Sequence, residues 1–367
     1  MRNILFYCNT YYQLIIAIQL KITLFKNDNV SLILSDHTES FKTIIKNLEE
    51  EKIFSEILFI KTKKIDFTSK NILKKLKHLY KTYFNKFSIL KNYEQKQKYD
   101  AFFYFNQNIS TNLIYSIISK NNLNLKCYQY EEGIFSYDAM KYSSILKINS
   151  LTLKLYLLLK KIVGNKTLVN ETKNVFVFYP NLYSGDRFVN KIPLLELNGE
   201  LTNILKNIFQ INFNKYCYKQ KYIYFSAICD VEGGEPIGEL NLVQKIANLV
   251  GRNNLLIKEH PRDTRKIYSK YGLNVDKNSA IPWEVIQLIH DFKKHVFLTA
   301  TSGSVLTINM ILSERPKTYF LFNLCNINNN YIAKKVAGNL EKFLRNFSKH
   351  LLFKNVYIVN DLKEILK

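Results

Sequence analysis

Apolar residues arrive in two rhythms along the chain. Short unbroken runs suit strands buried on both faces, and longer stretches repeat their apolar positions at helical spacing. The first half predicts strands at Ile4–Tyr7, Val30–Leu34, Ile57–Ile60, Ala101–Phe105 and Leu125–Tyr130. Helices are predicted from about Tyr12 to Phe25, Ser40 to Glu50 and Thr111 to Ser119. The alternation resumes with strands at Tyr222–Phe225, Asn254–Ile257, Val296–Thr299 and Thr318–Phe322. Helices at Leu240–Val250 and Val305–Leu312 fall among them. Strands alternating with helices predict parallel sheets wrapped by helices, an α/β class. Ligands of such sheets sit beyond the carboxyl ends of the strands.

One stretch departs from this rhythm. From Lys61 to Lys98 there are 12 lysines against two acids, Asp66 and Glu94. Ile72, Leu73, Leu76, Leu79, Tyr80, Tyr83, Phe84, Phe87 and Leu90 recur at helical spacing. A basic amphipathic helix with aromatics suits an anionic membrane surface, and equally a core-packing helix with a solvated lysine face.

The 367 residues suffice for two domains. Ten of the 11 glycines lie at or after Gly164 and all six prolines at or after Pro180, which puts a boundary between about 150 and 215. The expected division is an N-terminal Rossmann-like domain over 1–165 with a basic insertion at 61–98. A linker over 166–215 and a C-terminal nucleotide-binding domain over 216–367 follow. Lys plus Arg exceeds Asp plus Glu by 53 to 30, a net charge of +23, so a polyanionic partner is expected. No recognition-helix pattern, RNP motif or zinc framework accompanies that charge, which speaks against nucleic acid.

The five cysteines, Cys8, Cys127, Cys217, Cys229 and Cys325, are scattered singly, as in a reduced cytoplasmic protein. Met1-Arg2-Asn3 runs directly into a strand pattern, unlike a signal peptide. No stretch approaches the roughly 18 apolar residues of a membrane span. The chain is therefore expected in the cytoplasm, peripheral at the inner face of the cell membrane. A homodimer is compatible with the sequence.

Five clusters at predicted strand ends carry candidate chemistry. Glu131-Glu132-Gly133 presents two carboxylates on a tight turn, suited to a general base or to a plain solvated turn. His260-Pro261 is flanked by Lys258 and Arg262; a histidine there can serve a leaving phosphate or simply hold a loop. Thr299-Ala300-Thr301-Ser302-Gly303-Ser304 puts hydroxyls and glycine before a helix, suited to an anion or to ordinary N-capping. It lacks the Gly-Lys-Ser/Thr of a Walker loop. Pro282-Trp283-Glu284 fits a ribose-binding acid or a helix start. Asp230-Val231-Glu232-Gly233-Gly234-Glu235 is an acidic, flexible loop without the ligands to complete a metal site.

In this order, together with Asn9-Thr10-Tyr11-Tyr12-Gln13-Leu14 after the opening strand, these motifs resemble the bacterial sialyltransferases of glycosyltransferase family 52. The resemblance spans the chain from near its start to about residue 310. It implies a GT-B architecture, two Rossmann-like domains with parallel sheets facing a central cleft. It also implies an inverting transfer, with no metal or cofactor, of sialic acid from CMP-sialic acid. The acceptor would be a terminal sugar, galactose or a relative, of a lipooligosaccharide or capsular glycan. His260 would serve the CMP phosphate, with Pro261 beside it. Ser302, Gly303 and Ser304 would bind that phosphate and Glu284 the ribose. Glu131 would be the base, with Asp230 the alternative, and Asn9, Gln13, Glu132 and Gly133 would line the cleft. Two readings stand against it: a GT-B transferase with another nucleotide sugar, and a basic membrane-surface or nucleic-acid-binding protein.

Overall fold

The computed structural model describes residues 1–66, 98–122, 124–134, 136–140, 167–211, 218–260, 262–278 and 281–366, with positions 74, 77, 154, 155, 157 and 158. Most of the basic 61–98 stretch, 67–97 apart from positions 74 and 77, lies outside the described residues, and so do Pro261 and Cys217. The chain forms two compact units. Residues 1–193 and 204–210 make the first, and 194–203 and 211–367 the second.

The first unit is built on a seven-stranded sheet of β1 (Asn3–Cys8), β2 (Asn29–Ser35), β3 (Glu56–Ile60), β4 (Ala101–Tyr104), β5 (Lys126–Tyr130), β6 (Thr172–Val177) and β7 (Phe188–Lys191). All neighbours pair in parallel, in the order β3-β2-β1-β4-β5-β6-β7. The central strands are buried along almost their whole length, which explains their continuous apolar runs. The rings of Phe6 and Phe103 stack at 4.6 Å, and those of Phe103 and Tyr128 at 4.7 Å, tying β1, β4 and β5. Helix Tyr11–Thr23 begins where Thr10 accepts from the Gln13 backbone N–H, and helix Ile109–Ile118 where Asn108 accepts from that of Thr111. Strand order reverses between β1 and β4, so the loops after those strands flank the switch point.

The second unit carries β8 (Tyr222–Phe225), β9 (Leu255–Lys258), β10 (Val296–Thr299), β11 (Lys317–Phe320) and β12 (Val356–Ile358). These strands too are all parallel, in the order β12-β11-β10-β8-β9. Its switch point lies between β8 and β10. Helix Glu239–Val250 turns Leu242, Val243, Ile246 and Ala247 into a core shared with Tyr224, Leu255, Ile257 and Leu298.

Every predicted strand has a counterpart. Five longer elements lie outside those predictions: β6, β7, β12 and helices Glu200–Phe209 and Tyr331–Phe347. The strands β6 and β7, inside the 166–215 stretch read as a linker, extend the first sheet. β6 opens on Thr-Lys-Asn before its apolar run from Val175 to Phe178, and β7 is an edge strand with Phe188 and Val189 exposed. The helix read from Val305 opens earlier, as a 3-10 turn at Gly303–Leu306 that passes into an α-helix at Thr307–Leu312. Among the described residues no helix is long and apolar enough to cross a membrane.

Candidate active site

In the second unit, loops after three adjacent strands are tied to one another by hydrogen bonds. The His260 backbone N–H donates to Ser226 Oγ, at 2.8 Å, joining the loop after β9 to the end of β8. Thr299 Oγ1, at the end of β10, donates to the Phe225 carbonyl and accepts from the Ser302 N–H, both at 2.8 Å. Thr301 Oγ1 meets Cys229 Sγ at 3.4 Å. His260, Asp230 and the Ser302–Ser304 turn are therefore fixed against one framework at the carboxyl ends of the strands.

Within that framework the His260 ring is held on one side only. Its Nδ1 accepts from the Arg262 N–H, at 3.2 Å, which leaves the neutral ring its proton on Nε2. No partner occupies Nε2 among the described residues, and the side chain is half-buried. Burial, and then the nearby Arg262 charge, lower its pKa, against the opposing charges of Glu232 and Asp263. Both effects favour the neutral ring, which offers an N–H at Nε2. Arg262 itself pairs with Glu232, at 3.1 Å, linking the loops after β8 and β9.

The other candidates of this unit have distinct roles. Ser302 and Ser304 share a hydrogen bond between their hydroxyls at 2.7 Å, and both residues are half-buried. Ser302 caps its helical turn by position, without a side-chain bond to it. Gly303 lies between them at the start of that turn. Glu284 opens helix Trp283–Ile289; burial raises its pKa, and the Lys258 charge pulls it back. Lys258 Nζ lies 5.4 Å from the centre of the Trp283 ring and pairs with Asp276 at 3.3 Å, so the Glu284 element sits beside the end of β9. Asp230 spends Oδ1 on the Ile237 N–H, at 2.7 Å, and its carbonyl accepts from Arg265.

Two residues of this site are absent from the sequence expectations. Glu239, directly after Gly238, reads as a helix-start acid favoured by the dipole. It is fully buried instead, accepts from Tyr224 Oη at 2.8 Å and the Ala227 N–H at 3.0 Å, and is pushed by burial up to about 8. Asn330 caps helix Tyr331–Phe347 through Oδ1, while its Nδ2 donates to the carbonyls of Cys229, Glu232 and Glu235 at 2.7, 3.0 and 3.0 Å. It clamps the acidic loop, and Gly233 and Gly234 in that loop have positive φ and leave no room for a Cβ against Asn330 and Asn329. An asparagine before an amphipathic stretch is a legible cap; its grip on a loop about a hundred residues earlier is not.

The first unit assembles the remaining candidates. Asn9 Oδ1 accepts from Ser35 Oγ at 2.6 Å, and its N–H donates to Gln13 Oε1 at 2.6 Å. Thr10 Oγ1 donates to Glu132 Oε1, which draws the turn after β5 to the turn after β1. Gly133 has φ +83°, the left-handed turn that favours glycine. Glu131 is fully buried: Oε2 accepts from Tyr137 Oη at 2.6 Å and the Phe178 N–H at 2.8 Å, and Oε1 from Tyr12 Oη at 3.3 Å. Burial pushes it up to about 7 against those three donors. Among the described residues no group of three His, Cys, Asp or Glu side chains is disposed to hold a metal ion.

Three solved structures share this architecture at low sequence identity. The chain is similar to an α/β-galactoside α-2,3-sialyltransferase of Photobacterium phosphoreum, with TM-score 0.50, 14% identity and coverage of 99% of this chain and 100% of that one. It is also similar to the calicheamicin glycosyltransferase CalG4, with TM-score 0.53, 10% identity and coverage of 98% and 85%. A glycosyltransferase of kitacinnamycin gives TM-score 0.52, 11% identity and coverage of 98% and 86%. The fold is of the GT-B type. No family model and no curated protein matches the sequence. The framework around His260 lies at the carboxyl ends of a parallel sheet, where open α/β sheets bind their ligands.

Proposed function

We propose that the protein is an inverting sialyltransferase that moves sialic acid from CMP-sialic acid to a terminal sugar hydroxyl of a lipooligosaccharide or capsular glycan. The observation that carries this reading is the His260 ring beside the carboxyl end of β8, anchored through Nδ1 and with no partner for its Nε2–H among the described residues. In the proposed step the acceptor oxygen attacks the anomeric carbon as the bond to the CMP phosphate breaks. His260 donates its N–H to the departing phosphate oxygen, where negative charge develops. Ser302 and Ser304 bind that phosphate through their hydroxyls, Gly303 lets it approach the backbone, and Glu284 receives the ribose hydroxyls.

The proton of the acceptor goes to a carboxylate. Asp230 suits this role because it is half-buried and only Oδ1 is committed to a backbone N–H. Glu131 has both oxygens committed inside the protein, which favours a positioning role for it in holding the turn that carries Glu132 and Gly133. Asn9 and Gln13 shape the neighbouring turn on the acceptor side.

The test is a thermal-shift titration with CMP, UMP, GDP and ADP, with and without EDTA, followed by turnover of CMP-sialic acid. CMP alone should raise Tm, and EDTA should leave the rise unchanged. Asp230→Asn should lower kcat by about 10²-fold or more while keeping the CMP shift. A preference for UMP or GDP overturns the donor. Full activity in Asp230→Asn overturns the base.

A further inference from the structure

Arg187, immediately before β7, is only 7% exposed. A guanidinium stays charged at any physiological pH, so this is a buried positive charge. Its Nη1 donates to Gln129 Oε1. Its Nε and Nη2 are buried with no hydrogen-bond partner, and no carboxylate pairs with Arg187 among the described residues. A buried charge left in this state is strongly unfavourable unless a counter-charge arrives. The two unused atoms are not a random pair. Nε–H and one Nη2–H point in parallel along one edge of the guanidinium, the fork that matches two oxygens of a carboxylate or phosphate.

The surroundings of this fork are fixed by the fold. Gln129 is held by its own donation to the Phe105 carbonyl at 2.8 Å. Gln107 donates to Tyr104 Oη at 2.7 Å, and its Oε1 is buried without a partner. Tyr104 Oη meets Thr172 Oγ1 at 2.6 Å. Gln129 of β5 thus holds one end of the guanidinium directly, and Tyr104 of β4, bonded to Thr172 of β6, lies within reach of its charge.

We propose that Arg187 is the anchor of an oxyanion site in the first unit, taking a carboxylate or phosphate group two-pronged through Nε and Nη2. The site is separate from the donor phosphate, which the proposed reaction assigns to the second unit, and it stands whether or not that reaction is correct. Gln129, which holds Nη1, lies on β5, the strand that leads into Glu131 and Glu132 two residues later. An anionic group of an acceptor, such as a sugar carboxylate or a phosphate substituent, has the chemistry to fill it.

The probes are sodium acetate and sodium phosphate, titrated into the full chain in Tris chloride with ionic strength matched by NaCl. Wild type should show a saturable Tm rise of about 2–4 °C with acetate, phosphate or both. The rise should vanish in Arg187→Met and Arg187→Gln. A response to acetate alone assigns the site to carboxylates, and to phosphate alone to phosphoryl groups. A wild-type response no larger than the NaCl control overturns the site, and so does an undiminished response in Arg187→Met. If neither variant folds, the arginine side-chain N–H spectrum of wild type decides under the same titrations. One Nε–H resonance shifting saturably supports the site, and none shifting overturns it.

Discussion

The turns after β5 and after β9 both place an ionisable side chain just past the end of a parallel strand, yet they are finished differently. After β5, Glu131 is sealed: two phenols and a backbone N–H use both of its oxygens. After β9, His260 is fixed through its backbone and one ring nitrogen, and the other nitrogen is left over. Where every donor meets an acceptor inside the protein, the cluster holds shape. Where one rigidly aimed group remains, it is available for chemistry. A carboxylate motif in a sequence does not say which of the two it will be.

The sharpest way to break this contrast is to remove each side chain in turn. His260→Ala should lower turnover by about 10²–10⁴-fold and leave Tm within about 3 °C, since the backbone bond to Ser226 Oγ survives. Paired kinetics and thermal melts read both numbers; a large Tm loss with intact turnover would reverse the roles assigned to the two clusters. Glu131→Ala should do the opposite first. It orphans three buried donors and should cost about 3 kcal/mol in urea unfolding. Glu131→Gln should recover most of that loss, because an amide oxygen can replace Oε2 and the NH₂ can face Tyr12 Oη. Equal stability of the Ala and Gln variants would show that the sealed network contributes nothing.

The smallest effect is in pH. Glu131 and Glu239 are raised by burial to about 7 and about 8 in the folded chain. An acid whose folded pKa lies above its unfolded value binds more protons when folded, so its contribution falls as pH rises from about 4.5 through the folded pKa. Stability should decline between pH 5 and 8, and Glu131→Gln should flatten the part of that slope below about 7. Identical pH slopes for the variant and wild type, by chemical denaturation, would refute the buried-acid assignment.

Much of the sheet framework was legible because parallel strands buried on both faces are written as unbroken apolar runs. Ile4–Tyr7 and Val296–Thr299 are examples. β7 and β12 were not, since an edge strand of three or four residues has no periodicity to read. His260 and the Ser302–Ser304 turn were legible as strand-end motifs, while their ties to Ser226 and Thr299 depend on strand order. Glu239 and Arg187 stayed hidden because local sequence records a residue's charge but not whether the chain will bury it.

Asn330 has a consequence for how the molecule is made. Its amide holds carbonyls that lie 101, 98 and 95 residues earlier. During synthesis β8, β9, β10 and β11 all emerge before this side chain does. A chain stopped at residue 329 would possess the strands of a nearly complete second sheet and the His260 loop, with the loop of Asp230 and Glu232 unfastened. Closing so long a loop is slow and late. The acidic loop is therefore fastened only by a residue made about a hundred positions after it, so its final shape waits on chain that its own strand does not supply.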